Sequence, residues 1–227
     1  MFNFFSRKKN VIKVIEKQAL DWYNEGLEFF EDEDYENAVR SFSEAINIDS
    51  NNYEFYSNRG LAYCYLDKID AGIEDYNKAV GLNPNVDSVY FDRGVAYFMA
   101  EQFDKAIAGF YKVLEFTPDN GYIYGYLGSA YNGLEQYEKA IENYSKAIEL
   151  IPDYTGAYCG MAYSYHKLKI YEKAIENYNK ALEIESTLLS DKYDSYLALA
   201  EIYNELGQYD KMNEYQEKAK SLGYTED

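Results

Sequence analysis

The strongest constraint on this chain is a repeat with a fixed period. Its only prolines are Pro84, Pro118 and Pro152, and the interval from the first to the second equals that from the second to the third. Residues 136–150 and 170–184 are offset by the same interval, thirty-four positions, and are identical at eleven of fifteen positions. A fixed period of this length is typical of repeat proteins, in which units that cannot bury their apolar faces alone stack on one another. The sequence therefore predicts a stacked repeat architecture.

Each unit is predicted to be a pair of helices. In the fourth unit, apolar residues from Tyr124 to Tyr131 recur at helical spacing, and Gly133 marks a turn. A second amphipathic stretch covers residues 137–148. Pro152 ends it, because proline lacks an N–H group and its ring clashes with the preceding helical turn.

Two columns of small residues run through the units. The first column is Gly26, Gly60, Gly94, Gly128 and Ala162. The second column is Ala38, Gly72, Ala106, Ala140 and Ala174. Two helices approach closely only where their side chains stay small. We therefore expect these columns to mark the contact between the two helices of each unit.

These columns resemble the tetratricopeptide repeat, whose pattern is visible in the second unit as Tyr56, Gly60, Gly72, Tyr76 and Pro84. The resemblance implies an all-α fold, a right-handed α-solenoid of about six helix-turn-helix repeats with a polar C-terminal capping helix. The predicted repeats are residues 19–52, 53–86, 87–120, 121–154, 155–192 and 193–224. Residues 1–18 form a basic and apolar N-terminal segment that is expected to be partly helical, and residues 225–227 form a tail.

The fifth repeat departs from the period. The spacing from Tyr171 to Tyr209 is four positions longer than the interval between the prolines. Four extra residues around 187–191 are expected to lengthen the connection there or the helix before it.

Charge narrows the classes of partner. The chain carries a net charge of −18, and residues 1–17 alone are basic, with a net of +4. The rest therefore carries −22, which repels phosphate backbones, so we expect no nucleic acid partner. Cys64 and Cys159 match no disulfide or zinc spacing. The chain start does not fit a signal peptide, and a cytoplasmic location is expected.

Motifs of catalysis are missing from the sequence. The chain has one histidine, His166, and neither a glycine-rich phosphate loop nor a CxxC or HExxH motif. We therefore predict a protein that is not an enzyme and that needs no cofactor and no metal.

The resemblance also implies a binding surface, because the first helices of tetratricopeptide repeats line a concave groove that receives a peptide or a helix. The predicted groove residues are Tyr23, Leu27, Leu61, Phe91, Val95, Phe98, Tyr122, Gly125, Ser129, Asn132, Cys159, Tyr163 and His166. Family members that bind acidic C-terminal tails have lysine, arginine and asparagine at groove positions. Here Ser88 and Asp92 replace the lysine and arginine of the third unit, so a site for an acidic tail is excluded.

The small residues around Gly125 allow two interpretations. In the first, they belong to a helix whose sequence is only weakly constrained. In the second, the small residues leave a pocket into which a side chain of a partner inserts, bounded by Tyr122, Ser129, Asn132, Cys159, Tyr163 and His166. The predicted function is a scaffold or adaptor that binds an apolar or aromatic peptide or helix. The alternatives are a membrane-peripheral assembly factor tethered through residues 1–9 and a homo-oligomerising subunit of a larger complex.

Overall fold

The structure is a computed structural model that describes residues 2–184 and 189–223, with side chains from Glu16 onward within those ranges. These ranges contain twelve helices and no strand. The helices are α1 (Phe2–Glu31), α2 (Tyr35–Ile48), α3 (Tyr53–Tyr65), α4 (Ile69–Leu82), α5 (Asp87–Met99), α6 (Phe103–Phe116), α7 (Gly121–Gly133), α8 (Tyr137–Leu150), α9 (Thr155–Lys167), α10 (Tyr171–Glu183), α11 (Leu189–Glu205) and α12 (Tyr209–Ser221).

The helices form two compact units. The N-terminal unit, Met1–Phe116, holds α1 to α6, and the C-terminal unit, Thr117–Asp227, holds α7 to α12. Within each unit every helix contacts the next one along the chain. First helices of successive repeats also touch, as α3 touches α5 and α9 touches both α7 and α11. The fold is the all-α solenoid of stacked helix pairs that the sequence predicts.

The first small-residue column makes room for an aromatic ring on the second helix of the same repeat. A Cβ atom added to Gly26 would lie 2.6 Å from the ring of Phe42, and one added to Gly128 would lie 2.7 Å from the ring of Tyr144. The ring at this place is buried in all five repeats where it occurs: Phe42, Tyr76, Phe110, Tyr144 and Tyr178. The expected close approach of the two helices is therefore confirmed.

A residue with left-handed backbone ends the turn inside each helix pair. These residues are Glu33, Asp67, Glu101, Glu135 and Lys169, with φ between 56° and 59°, and Gly207 with φ 68°. In the fourth repeat the N–H of the next residue, Gln136, donates to the carbonyl of Tyr131 at 2.9 Å, the bond of a Schellman motif. The glycine that the sequence suggested as the turn marker, Gly133, is instead the last residue of α7.

A tyrosine hydroxyl joins each of three repeats to the connection before it. Tyr90 donates to the carbonyl oxygen of Pro84 at 3.2 Å, and Tyr124 donates to that of Pro118 at 3.2 Å. Tyr56 makes the same bond, at 3.4 Å, to Ser50, the serine that replaces proline in the first repeat. The aromatic residue of the repeat pattern thus fixes the path of the chain into its own helix.

The C-terminal end departs from the regular repeat. α11 is 17 residues long, against 13 for α9, so the extra residues from Leu189 onward lengthen the helix after the connection and not the helix before it. Residues 187 and 188 of that prediction, and the tail 225–227, lie outside the described residues. Only Ala219 of α12 is buried, as a polar capping helix requires.

None of the helices combines, over the residues described, the length and the apolar character that a membrane span needs. At the chain start, α1 runs without a break from Phe2 into the first repeat. The side chains of residues 1–9, on which the membrane-tether alternative depends, lie outside the described part of the chain.

Candidate functional site

In the N-terminal unit the predicted groove residues are half-buried aromatic and aliphatic side chains on α1, α3 and α5. The Tyr23 ring packs 5.7 Å from that of Phe42 and 5.0 Å from that of Phe55 between ring centroids. Its hydroxyl accepts a hydrogen bond from Asn58 Nδ2 at 3.1 Å. Burial, followed by the nearby charge of Glu54, raises the pKa of Tyr23. Tyr23 is thus a neutral part of the wall, with one polar edge.

The other groove residues of this unit also have one side in the core. The Phe91 ring lies 6.3 Å from that of Phe110, and the Phe98 ring lies 5.4 Å from that of Phe103. Leu61 and Leu27 pack against buried side chains of the core, and Val95 is half-buried. Part of each side chain remains in contact with solvent, so the surface is already formed and apolar.

Asp92 is a half-buried charged group on this surface. Burial raises the pKa of its carboxyl group to about 6. The charge of Asp92 in turn raises the pKa values of Cys64 and Tyr76, although burial is the larger cause for both residues. The sequence marked Asp92 only as a mismatch to acid-binding relatives. The structure shows a carboxyl group in apolar surroundings, where a cationic partner group would stabilise its charged form.

In the C-terminal unit the space beside Gly125 is occupied. A Cβ atom added to Gly125 would lie 2.6 Å from Cε1 and 2.8 Å from the hydroxyl oxygen of Tyr154. The Tyr122 ring packs edge-on to Tyr154 at 5.3 Å and remains 57% exposed. The Tyr154 ring therefore fills the space that a side chain at position 125 would occupy. The idea that Gly125 leaves an open pocket is wrong.

Ser129 and Asn132 bind the buried hydroxyl group of Tyr144. Ser129 Oγ lies 3.0 Å from that hydroxyl, and Asn132 Nδ2 donates to it at 3.3 Å. Asn132 also donates to the carbonyl of Gly160 at 3.3 Å and accepts from Ser164 Oγ at 2.8 Å. Burial raises the pKa of Tyr144 to about 12. These two groove residues thus belong to an internal hydrogen-bond network.

The third repeat shows the apolar version of the same arrangement. Phe110 occupies the place that Tyr144 has one repeat later, and Val95 and Phe98 stand where the fourth repeat has its serine and asparagine. Without a hydroxyl group on the ring, the neighbours need no polar atom. In these two repeats, the polarity of the two groove residues matches the polarity of the ring beneath them.

Cys159 and His166 also have partners inside the C-terminal unit. Cys159 Sγ lies 3.5 Å from Ser195 Oγ, and burial raises the pKa of this thiol. His166 is buried, and its Nε2 atom lies 3.3 Å from Glu205 Oε1. Tyr163 is 40% exposed, and Lys167 Nζ lies 5.1 Å from the centroid of its ring. Of the residues proposed to bound a pocket, Tyr122 and Tyr163 are thus the ones that face solvent most.

One group of side chains in the described ranges has the composition of a cation site. His166, Glu201 and Glu205 offer ligand atoms that all lie within 4.8 Å of one another. A hydrogen bond from Tyr171 is the main reason why the pKa of Glu205 is lowered. The sequence did not suggest this group, because both glutamates belong to the repeat after that of His166 and follow the irregular connection.

Helix pairs that recur at a fixed period, stacked through small-residue columns, define an α-helical repeat protein. Models described as TPR repeat match residues 26–65 and 128–169, and models described as tetratricopeptide repeat match residues 53–86, 156–188 and 193–222. The chain belongs to the tetratricopeptide repeat family.

Several solved structures are similar to this chain. A crystal structure of MamA is 27% identical, with a TM-score of 0.67, and the match covers 70% of this chain and 94% of that one. MamA from Desulfovibrio magneticus RS-1 is 24% identical, with a TM-score of 0.71 over 74% of this chain and 95% of that one. Pseudomonas aeruginosa PilF is 16% identical, with a TM-score of 0.71 over 92% and 93%. No curated protein sequence matches significantly.

Proposed function

We propose that this protein is a non-catalytic scaffold that binds an apolar or aromatic peptide or helix of a partner protein on the first helices of its repeats. Membership of the tetratricopeptide repeat family supports a role in protein–protein interaction. The finer proposal, which concerns the surface used and the chemistry of the partner, rests on the side chains of the first helices.

The observation that carries the proposal is the position of the exposed apolar side chains. Thirteen large apolar residues are exposed among those whose side chains are described. Six of them, all on first helices, stand at or beside the predicted groove positions. Tyr122 and Tyr163 are predicted groove residues, Leu20 and Leu197 stand at the repeat positions of Tyr122 and Cys159, and Tyr65 and Met99 are the last residues of α3 and α5. Exposed apolar groups that are regularly spaced along one set of helices are typical of an interaction surface.

The charge of the molecule selects among apolar partners. The chain carries −18 overall, and Asp92 adds a half-buried carboxyl group to the wall of the N-terminal unit. A neutral or basic segment is therefore favoured over an acidic one. A lysine or arginine of the partner that reaches Asp92 would stabilise its carboxylate form.

The cysteines fit a scaffold better than a catalyst. Burial raises the pKa of Cys64 to about 11, and it raises that of Cys159 as well. Both residues are free cysteines and remain thiols at neutral pH, whereas the thiolate is the nucleophilic form. Free thiols also support the proposed cytoplasmic location.

Paired surface variants test the proposal. Tyr65→Ser with Met99→Ser removes two exposed side chains from the first helices, where they are 59% and 53% exposed. Tyr111→Ser with Phe116→Ser removes comparable groups, 46% and 40% exposed, from the second helix α6 of the same unit. Each pair and the wild type are used to capture partners from lysate of the native host, and recovered proteins are quantified by mass spectrometry.

We expect at least one partner whose recovery falls about tenfold with the first pair, because two apolar anchors contribute on the order of 1 to 2 kcal/mol or more. The α6 pair should recover that partner as the wild type does. Circular dichroism of both variants controls for folding. If the two double variants recover every partner equally, the proposal that the first helices form the binding surface is wrong.

A further inference from the structure

Arg59 in the second repeat shows how an arginine between two repeats is satisfied. Its Nε atom donates to Asp75 Oδ2 at 2.7 Å, and its Nη2 atom donates to Asp75 Oδ1 at 2.8 Å. A third donor, Nη1, binds Ser43 Oγ at 3.0 Å. One planar carboxylate thus takes two parallel bonds from the guanidinium group, the strong bidentate arrangement of this pair.

Arg93 is the repeat equivalent of Arg59, but only one of the two hydrogen-bonding residues seen around Arg59 has a counterpart there. Its Nη1 atom donates to Asn77 Oδ1 at 3.0 Å, and Asn77 stands one repeat after the serine that binds Arg59. The residue one repeat after Asp75 is Gly109, which has no side chain. The Nε atom of Arg93 is buried and has no hydrogen-bond partner, and within the described part of the chain it is the one side-chain atom of this kind. A buried donor on a charged group without an acceptor is costly.

A cavity opens where the carboxylate is missing. It has a volume of about 360 Å³ and is lined by Arg93, Gly109, Lys105, Lys112 and two tyrosine rings, among others. The guanidinium carbon of Arg93 lies 5.2 Å from the ring centroid of Tyr90, so the arginine is held in place by stacking as well as by its bond to Asn77. Three cations therefore face one cavity in a chain whose net charge is strongly negative.

The two lysines make only exposed contacts. Lys105 Nζ donates to Gln102 at 2.7 Å and lies 5.3 Å from the ring centroid of Tyr97. Lys112 forms an ion pair with Glu115, and its Nζ atom lies 5.9 Å from the ring centroid of Phe116. Exposed pairs of this kind contribute little stability, so both lysines can turn toward an anion that enters the cavity.

We propose that this cavity is a binding site for a carboxylate, which accepts a hydrogen bond from Arg93 Nε in the place that the Asp75 carboxylate takes beside Arg59. The second carboxylate oxygen faces the lysines. The ligand is a small organic acid or a glutamate or aspartate side chain of another protein. The site is lined by α5 and α6 together. It contains none of the predicted groove residues, so it does not depend on the proposed function.

The fourth repeat supplies a matched control without the arginine. Lys139 and Lys146 stand one repeat after Lys105 and Lys112, at the same positions of the pattern, and Leu127 takes the position of Arg93. Two lysines in the same relative places but without a guanidinium group between them should not form the site.

The binding test observes the unpartnered atom directly. The chain has four arginines, so the Nε–Hε resonances of the full-length protein are resolvable by ¹⁵N NMR and are assigned with Arg93→Gln and Arg59→Gln. Sodium benzoate serves as the small-acid probe, a capped Ala-Glu-Ala tripeptide serves as the protein side-chain probe, and benzamide is the neutral analogue of benzoate. We expect a saturable shift of the Arg93 resonance with one or both carboxylates, no shift with benzamide, and no shift of Arg59 with any probe.

Variants test the two halves of the site. The double variant Lys105→Gln/Lys112→Gln should lower the affinity for the carboxylate about tenfold. The double variant Lys139→Gln/Lys146→Gln should leave this affinity within about twofold of wild type. Gly109→Asp should shift the Arg93 resonance without any ligand and abolish the response to benzoate. A Cβ atom at residue 109 would lie 3.2 Å from Gly94 Cα, so circular dichroism must first show that this variant folds, and the lysine variants stand if it does not.

Whichever carboxylate binds more tightly identifies the source of the natural ligand, and either result supports the site. No saturable shift with either carboxylate at a large excess over protein, or equal weakening by the two lysine pairs, would overturn the proposal. Phenyl phosphate is added as a further probe, and a shift of the Arg93 resonance with it but with neither carboxylate would overturn the carboxylate assignment.

Discussion

The third and fourth repeats have the same backbone plan but opposite chemistry around their central ring. In the third repeat the ring is Phe110, and in the fourth it is Tyr144, and both are buried. The single hydroxyl group of Tyr144 comes with Ser129 and Asn132, which bind it. A buried hydroxyl group without partners would destabilise the fold. Between these two repeats, the presence of one oxygen atom thus goes together with a change of polarity at two neighbouring half-buried residues.

The largest effect should come from crowding the ring of the fourth repeat. A Cβ atom on Gly160 would lie 2.3 Å from Tyr144 Cζ and 2.5 Å from its hydroxyl oxygen. Because the buried ring cannot turn away, Gly160→Ala should lower the free energy of unfolding by about 3 kcal/mol. Gly156→Ala in the same helix is the control. The nearest atom to its added Cβ atom would be Cε2 of the half-buried Tyr154, at 3.2 Å, so this variant should stay within about 0.5 kcal/mol of wild type. Urea unfolding distinguishes the two, and equal losses would contradict this account of Gly160.

Asp92 in the third repeat should make stability depend on pH. Burial raises the pKa of its carboxyl group to about 6 in the folded protein, from an ordinary value of 3.8. The folded state therefore holds this proton more tightly than the unfolded state. The resulting stabilisation is complete below about pH 4 and is lost as pH rises through 6.

Asp92→Asn, which carries no charge at any of these pH values, should be more stable than wild type at pH 8 by about 2 to 3 kcal/mol. The difference should shrink toward zero at pH 4. Asp104→Asn, which changes an exposed carboxylate on α6, controls for the loss of one negative charge. Urea midpoints at pH 4, 6 and 8 provide the measurement, and a gap that stays constant with pH would sink the prediction.

Adding the hydroxyl group to the third repeat should also destabilise it. Since the Tyr144 hydroxyl group meets Ser129 and Asn132, we expect the hydroxyl group of Phe110→Tyr to meet their repeat equivalents Val95 and Phe98, whose side chains contain no acceptor. The expected loss is about 2 kcal/mol, measured by urea unfolding. Val95→Ser in the same chain restores one partner and should recover about 1 kcal/mol. An additive double variant, with no recovery, would show that the ring and its neighbour are not coupled.

Removing the hydroxyl group from the fourth repeat should have the smallest effect. In Tyr144→Phe the serine is half-buried and can bind water, and Asn132 keeps its bonds to Gly160 and Ser164. We expect a loss of about 1 kcal/mol in the free energy of unfolding. Tyr178→Phe, which makes the same change in the fifth repeat, is the comparison. A loss above about 3 kcal/mol at Tyr144 would mean that the network contributes more than its separate bonds.

Most of the fold could be predicted from the sequence because spacing alone specifies it. Prolines at a constant interval mark where a helix pair ends, and small residues in two columns mark where its two helices contact each other. The turns were harder to predict. The sequence pointed to Gly133, whereas the left-handed residue is Glu135. A charged residue gives no local signal of positive φ, and only its recurrence in every repeat would have revealed the position.

The candidate site was only partly predictable. The repeat register placed the groove residues on the first helices, but it could not show which polar atoms are already bound inside the protein. A comparison of repeats offers the signal that was missed, since serine and asparagine accompany Tyr144 where valine and phenylalanine accompany Phe110. In the same way, Tyr154 stands where earlier repeats have asparagine or valine, and this large ring is what the glycine at 125 accommodates.

The turns inside the helix pairs have a consequence for how the protein opens. Five of them place a side chain in a backbone region that disfavours it, at a cost of roughly 1 kcal/mol each relative to glycine. Each of the first five helix pairs thus carries its own small bias toward local opening, whereas the sixth has Gly207 at its turn. Native-state hydrogen exchange should detect partial openings that begin at these turns. Glycine introduced at one turn at a time would close them selectively and so reveal the order in which the repeats come apart.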